Sequence, residues 1–186
     1  MSTALLVILG IAVFLGILVI AMYNGLVSVR NHCDEAWSNI DTELQRRYDL
    51  IPNLIETTKG YAKHERELLE DVVNLREKAA GNHGPVASQA ADESLLQNAL
   101  GRLMVRLEAY PDLKASANFV ELQKELANTE NRIQAAQRFY NGNVRENNNR
   151  IQQFPSNVIA SMFAFGPREF FELENPEARQ APKVQF

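Results

Sequence analysis

Residues Ala4 to Met22 form an unbroken apolar run, ALLVILGIAVFLGILVIAM, with no charged residue in it. At 1.5 Å of rise per residue this run spans roughly 28 Å as a helix, about the thickness of a bilayer hydrocarbon core. A cleaved signal peptide has a basic leader, a shorter apolar core and a small-residue cleavage site. Here no Lys or Arg precedes the run, and Tyr23-Asn24-Gly25-Leu26-Val27 follows it. A buried helix of a water-soluble domain is rarely apolar on every face for five turns. The pattern therefore predicts a retained transmembrane anchor over residues 1–22.

Beyond Met22 the pattern changes to a stripe. Leu26, Val29, Cys33, Trp37, Ile40, Leu44, Tyr48 and Ile51 recur at steps of three and four, with charged and amide residues between them. That spacing predicts an amphipathic helix continuing out of the membrane. Pro52 removes a helical hydrogen bond and crowds the preceding turn, so a kink or restart is expected between Tyr48 and Asn53. A second stripe runs Leu54, Thr58, Tyr61, Leu68, Val72, Leu75, Ala79 and stops at Gly81-Asn82-His83-Gly84-Pro85. A third helix is expected from about Ala87 to Ala109, with Ala91, Leu95, Leu96, Ala99, Leu103 and Leu107 inward. A fourth starts near Phe119, with Asn118 and Glu121 placed as a capping box, and runs to Pro155. Alternating strand patterns with hairpin turns do not occur. Residues 23–154 thus read as an all-α, antiparallel up-and-down bundle of three or four long helices.

Residues 155–186 depart from that periodicity. A short helix is expected over Asn157–Phe163. After it Phe163, Phe165, Phe170, Phe171, Val184 and Phe186 lie in an extended, proline-containing segment. Disordered tails are poor in aromatics. This one is predicted to dock in an apolar groove, either on its own bundle or on a neighbouring copy or another protein.

Composition narrows the function more than it specifies it. The net charge is −4, with acids and bases interspersed, so the basic stripe of a nucleic-acid binder is missing. Cys33 is the only cysteine, which excludes an intrachain disulfide and a cysteine-built metal site; a buried thiol is favoured over a Cys33–Cys33 bridge between copies. His32, His64 and His83 are scattered. His64-Glu65 begins a zinc-helix pattern, but Leu68 stands where the second histidine would be. No Glu has a His three residues on, as a bundle-type di-iron site requires. No catalytic, cofactor or metal site is predicted.

Two polar clusters stand out on the helices. Asp41, Arg46, Arg47, Asp49, Asn53 and Glu56 surround Pro52, while Glu130, Asn131, Arg132 and five further asparagines mark the fourth helix. Asparagine is a mediocre helix former. Such residues either lie on an exposed face or form a ladder between helices or subunits, where polar seam residues set register and oligomeric state. Trp37, Arg46, Arg47, Asn53, Glu130, Asn131, Phe170, Phe171 and Phe186 are the candidate interaction residues.

These stretches also carry a family resemblance. Tyr23-Asn24-Gly25-Leu26-Val27 after an N-terminal span resembles the bacterial LemA family. So do Glu35 to Asp41, the string Arg46-Arg47-Tyr48-Asp49-Leu50-Ile51-Pro52-Asn53-Leu54, and Lys59 to Glu65. Thr129 to Ile133, Tyr140-Asn141, Phe154 to Ala160 and Pro182 to Phe186 match as well, least clearly around residues 80–118. Asn147-Asn148-Asn149 departs from the larger residues usual there, which bears on a helix seam. The resemblance implies a single-pass bacterial membrane protein with an up-and-down helical domain and no established enzymatic activity. It also implies association with a membrane zinc metalloprotease of the HtpX type, hence membrane-protein quality control.

The sequence expectation is a non-enzymatic scaffold or adaptor that self-assembles and engages another membrane protein. The alternatives are a regulatory subunit or substrate adaptor of such a protease, and a metal or small-ligand sensor. The expected partners are the lipid bilayer, further copies of the chain and a membrane protease or other membrane protein, with no nucleic acid. Arg30, Arg46 and Arg47 follow the span and no charged side chain precedes it. By the positive-inside rule the bulk of the chain is expected on the cytoplasmic side of the bacterial inner membrane.

Overall fold

A computed structural model of the chain describes residues 3–61 and 65–173. Among these residues there are six helices and no strand. They are α1 (Thr3–Thr58), α2 (Arg66–Gly81), α3 (Val86–Leu107), α4 (Pro111–Lys114), α5 (Ala117–Gln152) and α6 (Ser156–Met162). The all-α class follows from the three-and-four spacing of apolar residues, which closes an apolar stripe on one side of each helix. The apolar run is the first part of α1, and its window of highest hydropathy has none of its residues buried in the fold.

α1 differs from the sequence expectation at Pro52, which lies inside the helix without ending it. Ile51 and Leu54 on either side are completely buried, so packing holds the turn that propensity would open. The chain leaves the helix only after Thr58, and α2 begins at Arg66 rather than continuing the second stripe without a break. α5 begins one residue before Asn118, so that side chain lies within the helix and is not its cap. α3 buries Ala90, Leu96, Ala99, Leu100, Leu103 and Leu107. Ala91 and Leu95, expected inward, are exposed.

The described chain divides into two compact units. The first combines α1 up to Ser38 with Arg138–Glu169. Its interior is made by Leu26, Val29, Cys33 and Ala36 of α1, Tyr140 and Val144 of α5, and Ile159 and Ala160 of α6. The Trp37 and Tyr140 rings meet edge to face at 5.4 Å, and Arg150 Nη1 donates to the Gly25 carbonyl at 3.4 Å. Partners that descend along α5 as they ascend along α1 make the two segments antiparallel.

The second unit holds residues 39–137 and the chain from Phe170. Its four long segments are the rest of α1, α2, α3 and the first part of α5. Arg76 on α2 reaches Tyr48 on α1, Lys78 on α2 pairs with Asp92 on α3, and Gln97 on α3 bonds Glu130 on α5. Each pair joins residues at similar distances from the intervening connection, so neighbouring helices alternate in direction. Ile40, Leu44, Ile51, Leu54, Val72, Leu96, Leu103, Leu107, Leu113 and Ile133 fill the interior.

The α2–α3 connection is fixed by Asn82. Its Oδ1 accepts from the Gly84 amide at 2.9 Å, an Asx turn, while its Nδ2 donates to Asp92 Oδ2 at 2.7 Å.

Candidate functional site

The most concentrated chemistry lies in the second unit, where an arginine is enclosed by helices. Arg47 and Tyr48 are consecutive on α1, at seam positions after Leu44 and before Ile51. Arg47 is 2 % exposed and Glu93 on α3 is equally enclosed. The Arg47 guanidinium is salt-bridged to Glu93 through Nη2 and to Glu130 on α5 through Nη1, the latter at 3.2 Å. The Tyr48 hydroxyl donates to the other Glu93 oxygen. Gln97 and Gln134 donate to Glu130 Oε1 at 2.8 and 3.0 Å. Burial first, and the Glu93 carboxylate second, push the Tyr48 phenol far above its ordinary value, so it remains a donor. The Arg47 Nε is buried with no hydrogen-bond partner.

Two carboxylates and one guanidinium leave this clamp with a net negative charge, shared out by the phenol and two amides. Desolvating such groups offsets most of their mutual attraction. The clamp's value is therefore positional: both terminal nitrogens of Arg47 are paired only when α1, α3 and α5 are in one register. Glu43 on α1 and Arg132 on α5 approach at 3.9 Å, with Glu43 largely covered and Arg132 exposed.

The candidate residues separate on this geometry. Arg47 and Glu130 come together. Arg46, Asn53 and Asn131 lie on the exposed surface. Trp37 packs on Tyr140 in the first unit. Phe170 is exposed by 37 %, whereas Phe171 is completely buried, with its carbonyl accepting from Gln137 Nε2 at 3.0 Å. Phe186 and the closing motif lie outside the described residues. The span ends Ala4 and Met22 both lie within α1.

Glu93 and Gln97 were not singled out from the sequence, and Tyr48 was read only as a residue of the apolar stripe. A signal was present: Glu93 sits three residues after Ala90 and three before Leu96, inside an apolar stripe, where a carboxylate requires a partner.

The first unit has a polar seat of its own. The Asn148 side-chain amide grips the backbone of Arg168, donating to its carbonyl and accepting from its amide, both at 2.9 Å. The Tyr140 hydroxyl donates to the Glu169 carbonyl at 3.0 Å. Asn147 beside it is 2 % exposed. The asparagine-rich stretch therefore holds the chain after α6. Cys33 is also fully enclosed, and burial raises its thiol above the ordinary value. That enclosure rules out a Cys33–Cys33 bridge in this fold.

Among the described residues no three His, Cys, Asp or Glu side chains converge as a metal cage would require. An open cavity of ≈ 580 Å³ lies between the end of α1 and the start of α2, lined by Ile55, Lys59, Leu69 and Val73 among others.

A family model, described as the LemA family, matches residues 36–186. The chain belongs to the LemA family. It is 26 % identical over 174 residues to the magnetosome protein MamQ of Magnetospirillum gryphiswaldense, covering 80 % of this chain and 64 % of the relative. It is 29 % identical over 137 residues to Protein LemA of Metamycoplasma hominis, covering 74 % of this chain and 63 % of that protein. This LemA-family chain thus spans somewhat under two thirds of the curated relatives it matches. The matched region contains the whole Arg47–Glu93–Glu130 clamp and the Asn148 seat, while the apolar run lies before it.

Proposed function

We propose that this LemA-family protein is a non-enzymatic, membrane-anchored helical scaffold that self-assembles and engages another membrane protein, in membrane-protein quality control. The observation that carries the reading is the continuity of α1. One uninterrupted helix holds the apolar run at its start and Arg47, Tyr48, Ile51 and Leu54 of the bundle interior near its end. The apolar run and the helix that carries the clamp are thus one element, with no flexible linker between them. The polar groups of the interior are spent on register, and the side chains left on the surface include Arg46, Asn53, Asn131 and the apolar Val105 and Phe139. A surface of that composition suits protein contacts.

A relative named for the magnetosome and another named LemA support a body used in more than one setting. That favours a scaffold over a subunit dedicated to one protease. The protease-adaptor reading rests on the family resemblance. The bulk of the chain on the cytoplasmic side of the inner membrane is part of the proposal and rests on the arginines that follow the span.

The test is photo-crosslinking in intact membranes from exposed positions, with probes replacing Arg46, Asn53 and Val105, followed by mass spectrometry. The scaffold reading expects crosslinks between copies and to a second membrane protein. A single monomeric species at micromolar concentration in detergent, with no crosslinked product in membranes, overturns it. Altered turnover of a co-purifying protease's substrates on deletion of this chain would select the adaptor reading.

A further inference from the structure

We infer that α6 and the turn before it form a second membrane contact, lying in the bilayer interface beside the end of the span. The inference rests on the reading of α1 as a membrane anchor. Its first support is position. In the first unit Ile159 and Ala160 of α6 are buried against Leu26, and Val19 and Met22 pack on the same cluster together with Ile151 and Phe165. Val19 and Met22 belong to the apolar run. Val19 and Leu26 are two helical turns apart, roughly 10 Å along the axis. α6 is therefore held at the level where the span leaves the hydrocarbon.

The second support is what α6 turns outward. With Ile159 and Ala160 inward, α6 turns Val158 and Met162 outward, one helical turn apart, while Phe154 in the turn before it and Phe163 at its end are exposed as well. Their exposures are 48, 69, 82 and 50 %. Large apolar side chains grouped this way mark an interaction surface rather than ordinary scatter. The surrounding chain has no charge: from Ile151 to Pro167 there is no Asp, Glu, Lys or Arg, and Arg150 and Arg168 flank the stretch.

The third support is aromatic. The Tyr23 ring, one residue past the span, meets Phe163 at 4.8 Å and Phe165 at 5.7 Å, both edge to face. The Arg30 guanidinium lies 5.3 Å from the Phe165 ring centre. Aromatic side chains collect where a membrane protein crosses from hydrocarbon to headgroups, and an uncharged apolar face beside them is what a monotopic helix buries. The occupant is the lipid surface, because the patch is continuous with residues that the anchor already places in it. Two points of contact, a span and an interfacial helix, fix the rotation of α1 about its own axis, which one span leaves free.

The experiment uses the full chain reconstituted in phosphatidylcholine–phosphatidylglycerol vesicles, with phosphatidylcholine brominated at a shallow acyl position as quencher. Met162→Trp and, separately, Phe154→Trp report on the patch. Phe139→Trp is the control, exposed by 57 % on α5 of the same unit but about 20 Å along the helix from its end at Gln152, at 1.5 Å per residue. The parent's Trp37 emission is subtracted. The expected result is about a twofold loss of the added fluorescence in both patch variants and none in the control, as burial at the acyl boundary requires. Vesicle flotation runs in parallel. A chain that floats while both patch variants stay unquenched overturns the inference and leaves the anchor standing. A chain that does not float overturns both. A patch that is unquenched but crosslinks to a second copy identifies protein as the occupant and also overturns it.

Discussion

Arg76 supplies the hydrogen bond that Pro52 withholds. In an uninterrupted helix the Tyr48 carbonyl accepts from the amide four residues on, which here is Pro52 and has no N–H. The Nε of Arg76, on α2, donates to that carbonyl at 2.9 Å. An unsatisfied acceptor in a partly buried place costs on the order of 1–3 kcal/mol. A neighbouring helix thus repairs a defect that α1 cannot repair itself.

Arg76→Ala is expected to destabilise the second unit by about 1–2 kcal/mol. Pro52→Ala restores an amide at position 52, so the loss on removing Arg76 should shrink in that background. Denaturant unfolding of the full chain in detergent, for both single variants and the double, gives the coupling. Strict additivity would show that Arg76 and Pro52 act independently.

Arg47→Met leaves Glu93 buried without its cation and is expected to cost about 3–5 kcal/mol. Arg47→Lys should recover little, because one ammonium does not serve two carboxylates in the guanidinium's planar geometry. Removing the most buried part of the cluster, with Arg47→Met, Tyr48→Phe and Glu93→Leu together, should recover most of the stability: apolar packing replaces a buried ion pair at little cost, and the partly exposed Glu130 keeps Gln97 and Gln134 as donors. Thermal unfolding of the three variants checks the order. A triple variant less stable than Arg47→Met alone would contradict a mainly positional role.

Asp92 ties α3 to the turn after α2. A hydrogen bond from Lys78 at 2.8 Å is the main cause that holds its carboxyl below its ordinary value; burial opposes this, and Asn82 adds a second donor. The folded chain therefore binds fewer protons here than the unfolded chain in acid. The stabilisation is complete above the ordinary carboxylate value, about 4, and is lost as pH falls through the depressed folded value. Asp92→Asn should be less stable than the parent at pH 7, and the gap should close in acid below pH of about 4. A gap independent of pH would assign the effect to packing.

Asn148→Ala removes both bonds that hold the Arg168 backbone. Amide hydrogen exchange at Arg168 should accelerate by about tenfold, corresponding to roughly 1.4 kcal/mol. Asn148→Asp retains the acceptor for the Arg168 amide and loses the donor to its carbonyl, so it should fall between. Unchanged exchange in Asn148→Ala would mean that Tyr140 and the Arg168–Asp34 ion pair, at 2.7 Å, hold this segment without it.

Much of the fold was legible because periodicity is a local property. The spacing of Leu26, Val29, Cys33, Ile40, Leu44 and Ile51 selects one side of a helix, and all of them are buried. The turn signals at Gly81–Pro85 and the stop before Pro155 were equally local, and α2 and α5 end there. The reading failed where a distant residue changed the local balance. Pro52 by itself predicts a kink or a restart, and the helix does not restart there, because Arg76 and the buried flanking side chains hold the turn. Leu95 fits an apolar stripe on paper but is exposed, since the face of α3 that turns inward is chosen by the neighbouring helices.

The polar site was legible by composition and not by pairing. Arg47 and Glu130 stood out as members of two polar clusters, suited to an exposed face or to an interhelical ladder, and they lie 83 residues apart. Glu93 between them became recognisable only when three helices met. The sequence by itself determined an all-α chain with one apolar helix long enough to cross a membrane, because helix formation and hydropathy depend on residues a few positions apart. The tertiary structure alone decided that α1 runs on through Pro52, that Arg47 is shared by two carboxylates, and that α6 is held against the end of the apolar run. Each depends on side chains far apart in the chain reaching one place, and the free energy of burying a polar group is settled only when its partner arrives.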